Sequence, residues 1–182
     1  MQNAGRSLQF RWMSPWGIAV ILFLIYGALN VLFAIFVPLL LHTQGIGAAP
    51  GLVVSEQADG ALLGRSLGEI QRTDPRLNAY LVTFMDTMCM MMMPFGILQL
   101  AIAWFAMRGV STWAFWALVL ANISYLPYFA AIVSTFSGFG VRLGLDDLFF
   151  FAIFPIPLLI AIVLGWVGLQ RVRSAAGSSS AA

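Results

Sequence analysis

Asp86 is the residue that most invites a chemical reading. It stands inside an apolar run, with Thr83 and Thr87 on either side and Met88, Cys89 and the methionines at 90–93 behind it. An ionisable side chain at membrane depth is costly and marks a functional site by default. Two roles follow from its surroundings: a structural carboxylate bonded to a neighbouring loop or to an arginine such as Arg65, or a group that binds a ligand or handles a proton. Counting about 20 residues back from Met107, just before Arg108, puts the outer hydrocarbon boundary near Met88, so Asp86 is expected in the interface.

Other polar groups can join it. Pro94 has no N–H for the carbonyl of Met90, and Met90 lies one helical turn from Asp86, so carbonyl and carboxyl can line one cavity. Tyr125 and Tyr128 flank Pro127, where a phenol can reach the same space. Asn30, Asn122 and Gln99 fall within apolar runs, and their plainest use is as hydrogen-bonding contacts between helices, worth about 0.6 kcal/mol each. The candidate ligand-binding set is Asp86, Thr83, Met90, Asn122, Tyr125 and Tyr128.

Much chemistry is excluded. Lysine is absent, which removes any Schiff base. Cys89 is the lone cysteine, so neither an internal disulfide nor a CxxC relay can form. With His42 as the single histidine, bis-histidine haem and three-histidine metal sites cannot be built within one chain. The methionine cluster offers soft ligands for copper(I), but consecutive helical residues diverge, and adaptable packing is the simpler reading. His42, at the outer end of the first helix, reads as polar trim. No metal, cofactor or nucleic acid is expected, and a lipid or quinone is the ligand class such a cavity suits.

The elements that must position these residues are transmembrane helices. Of 182 residues, 61% are hydrophobic and 9% charged, and the mean hydropathy is +0.93, which leaves too little polar surface to clothe a water-soluble globule. Four apolar stretches, near 16–41, 77–107, 113–136 and 148–169, are long enough to cross about 30 Å of hydrocarbon. The expected fold is an all-α integral membrane protein, a single four-helix domain over 1–173 with an outer loop at 42–74 and a disordered tail at 174–182. The first stretch is too long for a signal peptide's apolar core and stays as an anchor.

Arginine sets the orientation. With both termini cytoplasmic, Arg6, Arg11, Arg108, Arg171 and Arg173 fall inside, at helix ends and with no acid among them. Arg65, Arg72, Arg76 and Arg142 then fall outside, where Glu56, Asp59, Glu69 and Asp74 dilute the loop's charge. A plasma or inner membrane location follows.

Within the outer loop, Leu63, Leu67 and Ile70 have helical spacing, with Arg65, Glu69 and Arg72 on another face, which predicts one short amphipathic helix. Asp74-Pro75 marks a helix start, and Asp146-Asp147 marks another for the fourth span. Pro38, Pro94, Pro127, Pro155 and Pro157 are expected to kink the spans and open a cavity toward the outer leaflet. Ala117 with Ala121, and Ala161 with Gly165, have the small-xxx-small spacing of close helix contacts.

This layout, four helices with one long first outer loop and an acid in the second helix, resembles at the level of architecture the sigma-2 receptor and sterol-isomerase group. No residue role or activity is carried over from it. The leading functional expectation is a non-enzymatic bundle that acts as an accessory or assembly subunit, or binds an apolar ligand such as a lipid or quinone, with a protein partner or second copy met through its helices. The alternative is a lipid-modifying membrane enzyme with Asp86 as acid or base, and a small transporter or channel is third.

Overall fold

The computed structural model describes residues 10–147 and 155–179, without the side chains of 173 and 175–179. Helix α1 is Pro15–Gln44. Its start follows from Ser14, whose hydroxyl accepts the Gly17 N–H at 3.0 Å ahead of Pro15 in the first turn. Its end follows from Gly45, which has φ 83° and donates its N–H to the Leu41 carbonyl. Helix α4, Pro75–Ala101, is capped by Asp74, which accepts from Leu77 N–H at 3.0 Å. It runs on through a π-turn at Ile102–Ala106 and a 3-10 turn at Met107–Gly109, after which Val110 reverses the chain at φ 56°.

The third span is two helices, α5 at Thr112–Ile123 and α6 at Leu126–Gly138. The break at Ser124 and Tyr125 comes just before Pro127, which cannot donate to the Ile123 carbonyl. The last helix, α7, is Pro155–Ser179. Four helical stretches, Pro15–Gln44, Pro75–Gly109, Thr112–Gly138 and Pro155–Val172, are long and apolar enough to cross a membrane. Only 17% to 28% of each apolar window is buried against the rest of the protein. Most of their apolar surface is therefore left uncovered by the rest of the described residues.

The long loop folds as two short helices, α2 at Glu56–Leu63 and α3 at Leu67–Thr73, where the spacing predicts one. Gly64 ends α2 in the left-handed region at φ 70°, and Ser66 starts α3 by accepting the Glu69 N–H. The apolar stripe is divided accordingly: Leu67 and Ile70 are fully buried, while Leu63 is exposed. At the other end of the chain, α7 continues to Ser179, through residues whose composition predicts a disordered tail. Ser174 there bonds back to the Gln170 carbonyl at 3.1 Å. The start of the fourth span expected at 148 lies outside the described residues. Of its expected caps, Asp147 instead holds two loops together, accepting from Ser55 Oγ at 2.6 Å and from Gly144 N–H at 2.8 Å.

α1 is the axis of the bundle, with α4 along one side and α7 along another. It meets α4 backbone to backbone: a Cβ on Gly96 would lie 2.9 Å from the Gly27 carbonyl oxygen. Beside that crossing, Gln99 donates to the Phe23 carbonyl at 3.1 Å. α7 approaches through glycine too, with Gly168 against Trp16 and Gly165 against the Phe115 ring of α5. Gly165, with buried Ala161, thus acts as its spacing predicts; Ala117 and Ala121 are only half-buried, and the Gly27–Gly96 crossing was not read from the sequence.

The main core lies toward the termini, around Trp16, Val20, Phe23, Met107, Phe115 and Leu118. The Trp16 indole N–H donates there to the Met107 carbonyl at 2.8 Å. Arg108 covers the same end, its guanidinium 4.4 Å from the Trp104 ring centre. A second core, Leu41, Ile46, Ala49, Leu67 and Ile70, seats the long loop on the far ends of α1 and α4. A third joins α2 to the end of α6 through Val54, Ala58 and Phe136.

Candidate functional site

Because α1 and α4 stay in contact from their glycine crossing to the loop end, the last turn of α1 is held beside the third and fourth turns of α4. His42 and Asp86 meet there, His42 Nε2 standing 2.9 Å from Asp86 Oδ2. Both keep substantial exposure, 59% and 37% of the side chain, so water screens the pair. The other carboxylate oxygen, Oδ1, is buried and has no hydrogen-bond partner among the described residues.

At the pair, α1, α3 and α4 wall an open cleft of about 530 Å³. Its walls include His42, Thr43 and Gln44 from α1, Gln71 from α3, and Asn78, Thr83 and Asp86 from α4. Asn78, Val82 and Asp86 follow one another at i+4 and therefore lie along one stripe of α4. Asn78 Oδ1 is a second buried acceptor with no partner among the described residues.

The far wall is built by Gln71. Its Oε1 accepts the Gly47 N–H at 2.8 Å and its Nε2 donates to the Gln44 carbonyl at 3.3 Å, which ties α3 to the turn after α1. That fit is why residue 45 is glycine: besides its positive φ, a Cβ there would collide with the Gln71 amide. The threonines turn their protons away from the cleft. Thr43 donates to the Leu39 carbonyl at 2.7 Å and Thr83 to the Ala79 carbonyl at 2.9 Å, each on its own helix.

Three other acids of the loops find partners of their own. Arg65 pairs with Asp74 at 3.2 Å, so the arginine considered as a partner for Asp86 goes elsewhere. The Leu77 N–H first, and then Arg65, hold the Asp74 carboxyl below the usual aspartate range. The Ser55 hydroxyl, then the Gly144 N–H, do the same for Asp147. Asp59 is 2% exposed and accepts three backbone N–H bonds, from Leu52, Val53 and Val54, which folds the strand of loop before α2 around it.

Of the six residues singled out from the sequence, the structure gathers Asp86 and Thr83 at the cleft. Met90 points out of the bundle, 66% exposed, one turn below Asp86. Asn122 is buried and spends its amide on the Leu118 carbonyl of its own helix, at 2.8 Å. Tyr125 packs on the core near the termini, and Tyr128 is exposed at the start of α6. Neither tyrosine lines the cleft, so the expected phenol does not share the space around Asp86. His42, Gln71 and Asn78 were missed as site residues. The i+4 series 78, 82, 86 was legible; the partners from α1 and α3 depend on how the loop folds back. Comparison with protein-family models, with curated proteins and with solved structures gives no match for this chain.

Proposed function

We propose that this chain is a non-catalytic four-span protein of the plasma or inner membrane, with both termini cytoplasmic, that holds an amphiphile at the outer membrane boundary. The observation that carries this reading is the polar cleft that α1, α3 and α4 wall at the loop end, with exposed apolar side chains on α1 and α4 below it. His42 stands one residue beyond Leu41, where the apolar run of α1 stops. Asp86, its partner, is therefore at the level of the hydrocarbon boundary. A polar head seated between His42 and Asn78 would leave its tail against Leu39 and Ile35 of α1 and Met90 of α4. These are 59%, 53% and 66% exposed and lie one to two turns below the His42–Asp86 pair. The volume falls within the range of small-ligand sites.

Native mass spectrometry of the protein released from lipid nanodiscs tests this. The wild-type chain should retain one amphiphile through mild activation, and Asp86→Leu with Asn78→Leu, which fills the cleft with methyl groups, should release it. Equal retention by both proteins, at matched folding, would overturn the proposal.

A second reading, an accessory or assembly subunit, is favoured by α6. Phe136 is the buried residue along Leu126–Gly138, while Tyr128, Ser134 and Thr135 are exposed. A helix with polar groups on open faces gains from a protein neighbour in the membrane. Purification in a mild detergent, followed by mass measurement of the intact particle, tests it: a particle of one chain plus detergent would count against it.

A further inference from the structure

We infer that Arg108, at the end of the bundle opposite the cleft, holds the phosphate of a phospholipid of net negative charge. Three rings converge on its guanidinium: the centres of Trp104, Trp12 and Phe10 lie 4.4, 5.6 and 5.8 Å from its central carbon. Trp104 belongs to the π-turn after α4, whereas Phe10 and Trp12 come from the segment ahead of α1, so two separate stretches of chain build one cage. Ring faces attract a cation but offer it no lone pair. Arg108 is exposed and makes no ion pair among the described residues. Its forked N–H donors are therefore held by the rings and left without a carboxylate. That arrangement suits a phosphate, which can take two parallel bonds from one guanidinium.

Charge narrows the partner. All seven acidic side chains fall between Glu56 and Asp147, in the loops at the cleft end or, for Asp86, beside His42 there. Arg108 instead shares its end with Arg11, next to Trp12, and with Arg171, one turn beyond the Gly168 that packs on Trp16; both are exposed. A zwitterionic head would bring an ammonium with no acidic side chain to meet it, whereas a net negative head meets only cations. Depth favours a lipid over a soluble anion. Arg108 is the next-to-last residue of the span Pro75–Gly109, and Leu98 and Phe105, on the turns before it, are 58% and 78% exposed and offer apolar surface to acyl chains. Trp12 and Trp104 suit that level, where a ring can be apolar on its face and wet at its edge.

The test uses nanodiscs of phosphatidylcholine doped with equal amounts of phosphatidylglycerol and phosphatidylethanolamine of matched acyl chains, with the bound lipid counted by native mass spectrometry. One arginine at a charged surface is worth about 1 kcal/mol, or about fivefold, so wild-type protein should retain phosphatidylglycerol at least about fivefold over phosphatidylethanolamine. Arg108→Gln should remove that preference, while Arg171→Gln, which takes an equal charge from the same end, should keep most of it. Equal losses from the two variants would mean diffuse attraction to a positive end and would overturn the site. Arg108→Lys keeps the charge and the apolar stem, so it reads the site even if Arg108→Gln folds poorly. A lysine cannot make the parallel pair of bonds, so its preference should fall by a factor of a few, and full retention would overturn the guanidinium–phosphate clamp. Inorganic phosphate in the buffer that strips the bound phosphatidylglycerol would overturn the lipid as the source of the phosphate. The Asp86→Leu, Asn78→Leu protein should keep the wild-type preference, because the cleft lies at the other end; loss of the preference there would overturn the placement at Arg108.

Discussion

Gly96→Ala should destabilise the bundle, although the same change in an open helix would stabilise it. Replacing glycine by alanine inside a helix ordinarily gains about 1 kcal/mol. At position 96 the added Cβ would stand 2.9 Å from the Gly27 carbonyl oxygen, 2.9 Å from Val31 Cγ2 and 3.0 Å from Asn30 Cβ. Ordinary contacts begin near 3.5 Å, so α1 and α4 must part by about 0.5 Å or more. Overpacking of this kind costs about 1–3 kcal/mol. The parting also stretches the Gln99–Phe23 bond, now 3.1 Å, which is worth about another 0.6 kcal/mol. The net expectation is a loss of about 1–2 kcal/mol, read as a melting point a few degrees lower in detergent. Gly138→Ala is the control, because nothing lies within 4 Å of a Cβ there, and it should melt at or above the wild-type temperature. A Gly96→Ala protein as stable as the wild type would refute the backbone-to-backbone crossing, and with it the account of why His42 reaches Asp86.

Other consequences can be checked alongside. Gly165→Leu should fail to assemble stably, because even a Cβ there would overlap the Phe115 ring; unchanged elution and melting would remove that contact. Asp59→Ala should strand the N–H groups of Leu52, Val53 and Val54 and cost about 3 kcal/mol, seen as rapid proteolysis of the loop before α2; a protease-resistant variant would contradict it. The carboxyls of Asp74 and Asp147 are held below their ordinary range, so the stability they lend is complete above about pH 4 and lost as pH falls through their lowered values. Loop protection from proteolysis should therefore persist to about pH 4 and fail below it, and loss already at about pH 6 would point to another group. Cysteine introduced at Gln57 should react with an impermeant thiol reagent in intact cells while cysteine at Ser174 is shielded, and the reverse pattern would invert the orientation.

The spans were legible because an apolar run of helix length has few other uses. The cap at Asp74-Pro75 was legible for a similarly local reason: both residue types favour the same helix start. What escaped was decided across the chain. Spacing alone joined Leu63 to Leu67 and Ile70, yet Gly64 has room to turn left-handed and Ser66 can cap a new helix, so local turn chemistry won over periodicity. Gly27 and Gly96 carry no mutual pattern, being close only because two antiparallel helices cross there. For the site, Asp86 stood out as an acid in an apolar run, and Thr83 came with it on the same helix. Tyr125 and Tyr128 were grouped with them for flanking Pro127, and Asn122 for lying within an apolar run, and neither ground says which side of the bundle a residue faces. His42 looked like trim until α1 and α4 were set side by side, and Gln71 became a wall only through its bonds to Gly47 and Gln44.

The occupant of the cleft can be located directly with a photoactivatable diacyl lipid whose diazirine sits next to the head. After irradiation of the wild-type protein in nanodiscs, the crosslinked peptides are mapped by mass spectrometry. Label concentrated on residues 39–44 and 78–90, and lost when Asp86 and Asn78 are both replaced by leucine, is the predicted result. Label spread over the exposed faces of α4, α5 and α6 in proportion to their exposure, and unchanged by those replacements, would show that the cleft holds no amphiphile.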